Sequence, residues 1–413
     1  SYFRDVTKGI SEALPFGRGE SARIVEVVHK TRKENGADVL VLSGRGVRPL
    51  VAKVCCVHAG RAEETRRRSL EREQRRLRVL NEKRVPGVPD VSSQYGNDKS
   101  LIEWEGESGR KYFAMILKPF APGGTLGEQH QRIQDMKEGG VILSRIIRRV
   151  AQTLHCAHNT LGGNDQWLMH GDVKPSNILL QEMVTSCTNP VTYLIDWEHS
   201  ARLKETTSAP ESSPASGKSV SYERHKKAET SLEKGSAGTE AVDYEYHSVF
   251  TPEFCARKQH PLGPLQNAVG PEADWEALFY TFVYMTDRRK LTWLQLDRLC
   301  SSEGSTRDLL LFDSYAKVMK RRNRTIFAAK TALLEQCREG RWGSPGEQDG
   351  WRFGKKWEES SIRKVKDLLK IWATWILRGS EMNMGEILMR ELEAISEQCS
   401  FVNSGFGRCL RFI

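Results

Sequence analysis

Eleven residues, His170-Gly-Asp-Val-Lys-Pro-Ser-Asn-Ile-Leu-Leu180, constrain this chain more than any other stretch. A carboxylate, Asp172, is followed two residues on by a cation, Lys174, and three residues later by an amide, Asn177. The run then turns apolar at Ile178, so the polar groups sit on a loop that ends in a short strand. A second short apolar segment, Tyr193-Leu-Ile195, follows across a polar hairpin loop and delivers another carboxylate, Asp196, at its end.

The rest of the chain divides around this segment. Ile24-Val-Glu-Val-Val28, Val39-Leu-Val-Leu42 and Pro49-Leu-Val-Ala-Lys-Val-Cys55 read as strands separated by polar turns. Residues 61–82 have helical spacing, with Leu70, Leu77 and Leu80 on one side. Tyr112 to Leu117 reads as a buried strand stopped by Pro119 and the turn Pro122-Gly-Gly124. Leu143, Ile146, Ile147, Val150, Leu154 and Ala157 repeat at helical spacing, and from Asp274 to about Ile395 the signals are mainly helical. Residues 204–240 are Ser, Thr, Lys, Glu and Gly with almost no apolar content, which predicts a disordered insertion. The expectation is an α+β chain, β-rich in its first third and helical afterwards. Its 413 residues suit two domains or one large bilobal enzyme.

Composition removes several classes. The longest apolar candidate, Ala277 to Met285, has core-helix length, so no membrane span is expected. Nine cysteines show no C-x-x-C pair and no zinc spacing, and reduced, mostly buried thiols are expected. A disulfide among Cys300, Cys337, Cys399 and Cys409 stays open for a secreted chain. Net charge is +10, yet Arg61 to Arg78 interleaves eight Arg with four Glu, as a solvated helix does. No aromatic-interleaved basic module accompanies the charge, so nucleic acid is not an expected partner. The first residues, Ser-Tyr-Phe-Arg-Asp, hold no signal pattern and no initiator Met. No compartment can be read from the sequence: cytoplasmic or nuclear is the default expectation, and secreted if an upstream signal has been removed.

Phosphoryl transfer needs the groups set out around Asp172. It requires a base or positioner for the attacking hydroxyl, positive charge at the γ-phosphate, and oxygen ligands for Mg²⁺. The segment 170–180 resembles the protein-kinase catalytic loop H-R-D-x-K-x-x-N. Gly17-Arg-Gly-Glu-Ser-Ala-Arg-Ile24 is similar to G-x-G-x-x-G-x-V, with Ala22 for the third glycine, and Val51-Ala-Lys-Val54 follows as a strand. The chain thus resembles the eukaryotic protein-kinase-like superfamily, Ser/Thr type, over roughly residues 14–395.

That resemblance implies ATP and Mg²⁺ as cofactors, protein substrates, and a bilobal fold. Residues 1–117 would form the N-lobe and 118–413 the C-lobe. Asp172 would be the catalytic base, Lys174 would steady the γ-phosphate, and Asn177 and Asp196 would bind Mg²⁺. Gly17, Gly19, Ala22, Ile24, Ala52 and Lys53 would contact the nucleotide, with Met115 and Leu117 beginning a hinge that runs to Pro122. Glu73 would pair with Lys53, with Glu71 as the competing choice. Asp274 would brace the catalytic-loop backbone. Thr251-Pro-Glu253 is similar to the A-P-E end of the activation segment, and Ala256-Arg-Lys258 is the alternative alignment.

Three departures stand out: Gly171 for the loop arginine, Asp196-Trp-Glu198 for D-F-G, and a long interval between Glu253 and Asp274. Within the superfamily, Asp274-Trp-Glu-Ala-Leu-Phe-Tyr280 is similar to fungal-specific and casein-type kinases. Ile195-Asp-Trp-Glu-His199 is closer to coccidian rhoptry kinases. Two rival readings stay open. One is a small-molecule phosphotransferase of the aminoglycoside or choline kinase type, whose motifs also run H-G-D and I-D-W-E. The other is a pseudokinase that binds partners without catalysis. Loss of the loop arginine also predicts activity without activation-segment phosphorylation, unless Arg148, Arg149 or Arg202 substitutes for it.

Overall fold

The computed structural model describes residues 15–18, 23–27, 29–34, 37–42, 50–57, 61–91, 101–105, 111–118, 123–159, 166–185, 190–199, 201–204, 253–257, 271–295, 312–343, 350–378 and 384–396. Gly19, Ala22, Pro119 to Pro122, Thr251, Pro252 and residues 205–240 of the expected insertion lie outside them.

The strand-rich first third forms an antiparallel sheet from β1 (Pro15–Arg18), β2 (Arg23–Val27), β5 (Leu50–Val57), β6 (Asp90–Val91), β7 (Ile102–Glu105) and β8 (Lys111–Lys118). A separate hairpin pairs β3 (His29–Glu34) with β4 (Ala37–Leu42). The central strands β2, β5 and β8 are rich in apolar residues, as their sequence predicts. Register matters more here than composition. Ile24 pairs with Lys53, and Lys53 pairs with Met115, so these three form one cross-strand row. Leu117 pairs with Val51, two residues along and therefore of the same parity. Ala52 falls in the neighbouring row, between Val25 and Ile116, which strand alternation assigns to the opposite face.

Helix α1 (Arg61–Glu82) follows β5 directly. Its leucines at 70, 77 and 80 are buried, at 0–1% exposure, while Arg75 and Arg68 face solvent. Burial of one stripe holds a helix whose overall composition is strongly charged.

The remainder is helical: α2 (His130–Gln134), α3 (Gly139–His158), α4 (Glu272–Asp287), α5 (Phe312–Glu339), α6 (Glu359–Arg378) and α7 (Met384–Ser396). The hydrophobic positions predicted for α3 are all buried. Helix α4 is buried on nearly every side, with α3 and α6 packed on it and on each other, and α7 packs on α3 and α6. Two small antiparallel pairs cross the middle of the chain. One joins β10 (Ile178–Leu180) to β11 (Thr192–Leu194), and the other joins β9 (Gln166–Met169) to β12 (Ala201–Lys204). The protein is thus mixed α+β, mostly helical with a small antiparallel sheet. Among the described residues no helix is long and apolar enough to cross a membrane. Cys337, one of the late cysteines considered for a disulfide, is a free buried thiol.

Candidate functional site

One buried side chain braces the backbone at the start of the 170–174 loop. Asp274, in the first turn of α4 and 1% exposed, accepts hydrogen bonds from the backbone N–H of His170 at 2.7 Å and of Gly171 at 2.8 Å. His158, at the end of α3, lies 2.9 Å from the same carboxylate. A carboxylate buried this deeply needs several donors, and it has three. Gly171 has φ +86°, a conformation that favours glycine over any side chain. A glycine at this position therefore suits the local backbone.

His170 locks the next step. Its Nε2 lies 2.9 Å from the Ile195 carbonyl, while its Nδ1 is 3.2 Å from the Asp172 N–H. A carbonyl can only accept and an N–H can only donate, so the ring is a neutral Nε2–H tautomer. Burial, the main cause, pushes its pKa below the ordinary value despite the nearby carboxylates of Asp274, Asp172 and Asp196. The same ring packs edge-on to Trp197, with centroids 4.7 Å apart.

Asp172 is 5% exposed and forms an ion pair with Lys174 at 2.7 Å. The Asn177 amide donates to the Asp172 carbonyl at 2.9 Å and to its carboxylate at 3.1 Å. A short 3₁₀ turn, Pro175–Asn177, folds the loop back to allow this. Because β10 and β11 pair Ile178 with Leu194, Asn177 and Asp196 emerge at the same end of that hairpin. The Ile195 N–H donates to the Asn177 carbonyl at 2.9 Å.

Lys53 carries the sheet's contribution. Its ammonium lies 2.7 Å from Glu73, 2.8 Å from Asp196 and 3.8 Å from Glu198. The choice between the two candidate glutamates falls to Glu73, since Glu71 pairs along the helix with Arg67 at 2.9 Å. Burial on its own would lower the Lys53 pKa, but the three carboxylates together raise it well above the ordinary lysine value. Burial, with repulsion from Asp196 and Glu198, pushes Glu73 upward against the pull of Lys53. Asp196 sits at φ +69°, unusual for a non-glycine residue and sustained by the contacts on both sides of it. Carboxylate oxygens of Glu73, Asp196 and Glu198 lie within 4.8 Å of one another. The Lys53 ammonium lies among these carboxylates and offsets part of their charge.

Four partners were not among the expected site residues. His158 shares Asp274 with the loop. Ser69 donates to the Glu198 carboxylate, and Arg76 donates to the Trp197 carbonyl at 3.1 Å and the Glu198 carbonyl at 2.7 Å. Arg257 donates to Glu276 on α4 through both its backbone N–H, at 3.0 Å, and its Nε, at 2.9 Å. Spacing could have found two of these. Ser69, Glu73 and Arg76 stand at i, i+4 and i+7, one face of one helix. Arg148, a suggested substitute for the loop arginine, pairs with Glu393 on α7.

Of the sequence-predicted site residues, Lys53, Glu73 and Asp196 come together, as do Asp172, Lys174 and Asn177. Ile24, Met115 and Leu117 share strand parity with Lys53, and Gly17 pairs with Ile24 in the β1–β2 hairpin. Ala52 does not share that parity. No protein-family model matches the chain, and no curated protein matches it.

Proposed function

We propose that this chain is a protein serine/threonine kinase with a bilobal kinase-type fold, using ATP and Mg²⁺. The observation that carries the reading is the placement of Lys53. A strand lysine, a helix glutamate and a carboxylate after β11 meet within 2.8 Å of one ammonium, although the sequence holds them far apart. A lysine so held is fixed as a point of positive charge for phosphate oxygens, with its chain entropy already spent by folding.

The donor set suits Mg²⁺, a hard cation that takes oxygen ligands. Asp196 offers a carboxylate oxygen. Asn177 has committed its NH₂ to Asp172, which leaves its amide oxygen as the ligand atom. When bound, Mg²⁺ would neutralise phosphate charge and fix the geometry of the nucleotide. Asp172 is the group to accept the substrate hydroxyl proton, and Lys174 beside it supplies charge towards the transferred phosphate. Met115 and Leu117, of the same strand parity as Lys53, support an apolar seat for the adenine next to that lysine.

The test is incubation with Mg²⁺ and γ-labelled ATP, alongside a generic basic protein and a panel of aminoglycosides. Label on protein Ser or Thr is the expected result. Label on an aminoglycoside would make the chain a small-molecule phosphotransferase, and nucleotide binding without transfer would make it a pseudokinase.

A further inference from the structure

The three residues after β11 do more than carry Asp196. Trp197 is fully buried, and its indole N–H donates to the Leu194 carbonyl at 2.9 Å. Glu198 reaches in the opposite direction, accepting from Ser69 and lying 3.8 Å from Lys53. Arg76, two helical turns after Ser69, grips the carbonyls of Trp197 and Glu198. Helix α1 is therefore tied to this turn at Ser69, at Glu73 through Lys53, and at Arg76, all on one face.

Building on the kinase reading, we infer that Glu198 is a positioning residue. Its carboxylate latches α1 to the Asp196 turn through Ser69 while Arg76 holds the backbone of that turn. Together they keep Glu73, Lys53 and Asp196 in register. Glu198 stands where a small flexible residue would leave the turn free to swing. Every contact in the latch is made by side chains and backbone of this chain, so it requires no phosphate group. A left-handed Asp196 is stable only when its surroundings fix it, and the latch supplies that restraint.

The experiment uses the phosphatase-treated full chain and its Glu198→Ala, Ser69→Ala, double and Glu198→Gln variants. Two readouts run in parallel: amide hydrogen exchange across residues 61–82 without nucleotide, and kcat and KM for ATP per folded molecule. Each single alanine variant should speed α1 exchange and lower kcat by about tenfold. The double variant should be no worse than Glu198→Ala, because both changes remove the same contact. Glu198→Gln, whose amide oxygen still accepts from Ser69, should recover most of the exchange protection.

Unchanged α1 exchange in Glu198→Ala overturns the inference, as do single-variant effects that simply add. A lowered melting temperature with unchanged exchange and kcat makes Glu198 a stabilising residue only, and also overturns it. If the wild-type chain transfers no phosphate but exchange responds as expected, the latch stands and the kinase reading falls.

Discussion

At the scale of single residues, Asp172 is the sharpest test of chemistry. Its carboxylate is nearly buried, braced by Asn177 and paired with Lys174. On the proposed kinase reading, Asp172→Asn would remove the proton acceptor while the contacts made by Lys53 remain. Transfer should fall below about a tenth of wild-type kcat with ATP binding retained, as thermal shift with Mg·ATP would show. A rate above that level would assign the base elsewhere. Glu73 gives a test in pH. Its pKa rises from 4.5 to about 7 in the folded protein, where it faces Lys53, Asp196 and Glu198. Over that window the folded state binds more protons than the unfolded one, so stability must fall as pH rises. In metal-free protein, wild type should lose stability relative to Glu73→Gln from pH 4.5 to about 7 and hold level above it, as melting curves across that range would record. The choice of Glu73 over Glu71 was legible in the sequence: Glu73 lies three residues after Leu70 and four before Leu77, on the buried stripe. His158 was not legible, because nothing in a sequence marks which helix-terminal histidine will meet an aspartate over a hundred residues later.

At the scale of elements, the long periodic segments were readable and the short ones were not. Helices α1 and α3 advertise themselves by spacing, and their expected buried positions are buried. Strands β9 and β12 run four residues each and find one another across the Asp196 turn, so neither local propensity nor periodicity signals them. Ala52 shows the finer limit. A motif match assigned it to the nucleotide beside Lys53, but adjacent residues in a strand take opposite faces, and only register reveals which row it joins. Because α1 is held mainly by its leucine stripe, Leu77→Ala should destabilise the protein by about 2–5 kcal/mol in denaturant unfolding. A loss under about 1 kcal/mol would mean that the polar latch, not the stripe, secures the helix.

At the scale of the molecule, the main hydrophobic core among the described residues runs from Leu70 and Leu77 of α1, through Phe113 and Met115 of β8, to Leu392 and Ile395 of α7, with a small separate cluster at Met169, Ala256 and Ala273. A core without a break predicts a single cooperative transition. Far-UV circular dichroism and tryptophan fluorescence should therefore give coincident urea curves, and two resolved midpoints would show that the sheet and the helices unfold separately. The same burial protects two of the described thiols. Burial pushes Cys255 up to about 11 and raises Cys337 as well, so neither forms much thiolate near neutral pH. Under native alkylation at pH 8, mass spectrometry should find Cys156, which is only half-buried, modified well before Cys255 or Cys337. On the proposed kinase reading, Trp197 would set a rule for inhibitor chemistry. A compound that works by prising out the side chain after Asp196 would have to expel a fully buried indole, break its bond to the Leu194 carbonyl and lose its edge contact with His170. Losing a buried aromatic costs about 3 kcal/mol or more, which would weaken such a compound by at least ~100-fold. Drug-like selectivity for this chain should therefore come from molecules that leave Trp197 seated.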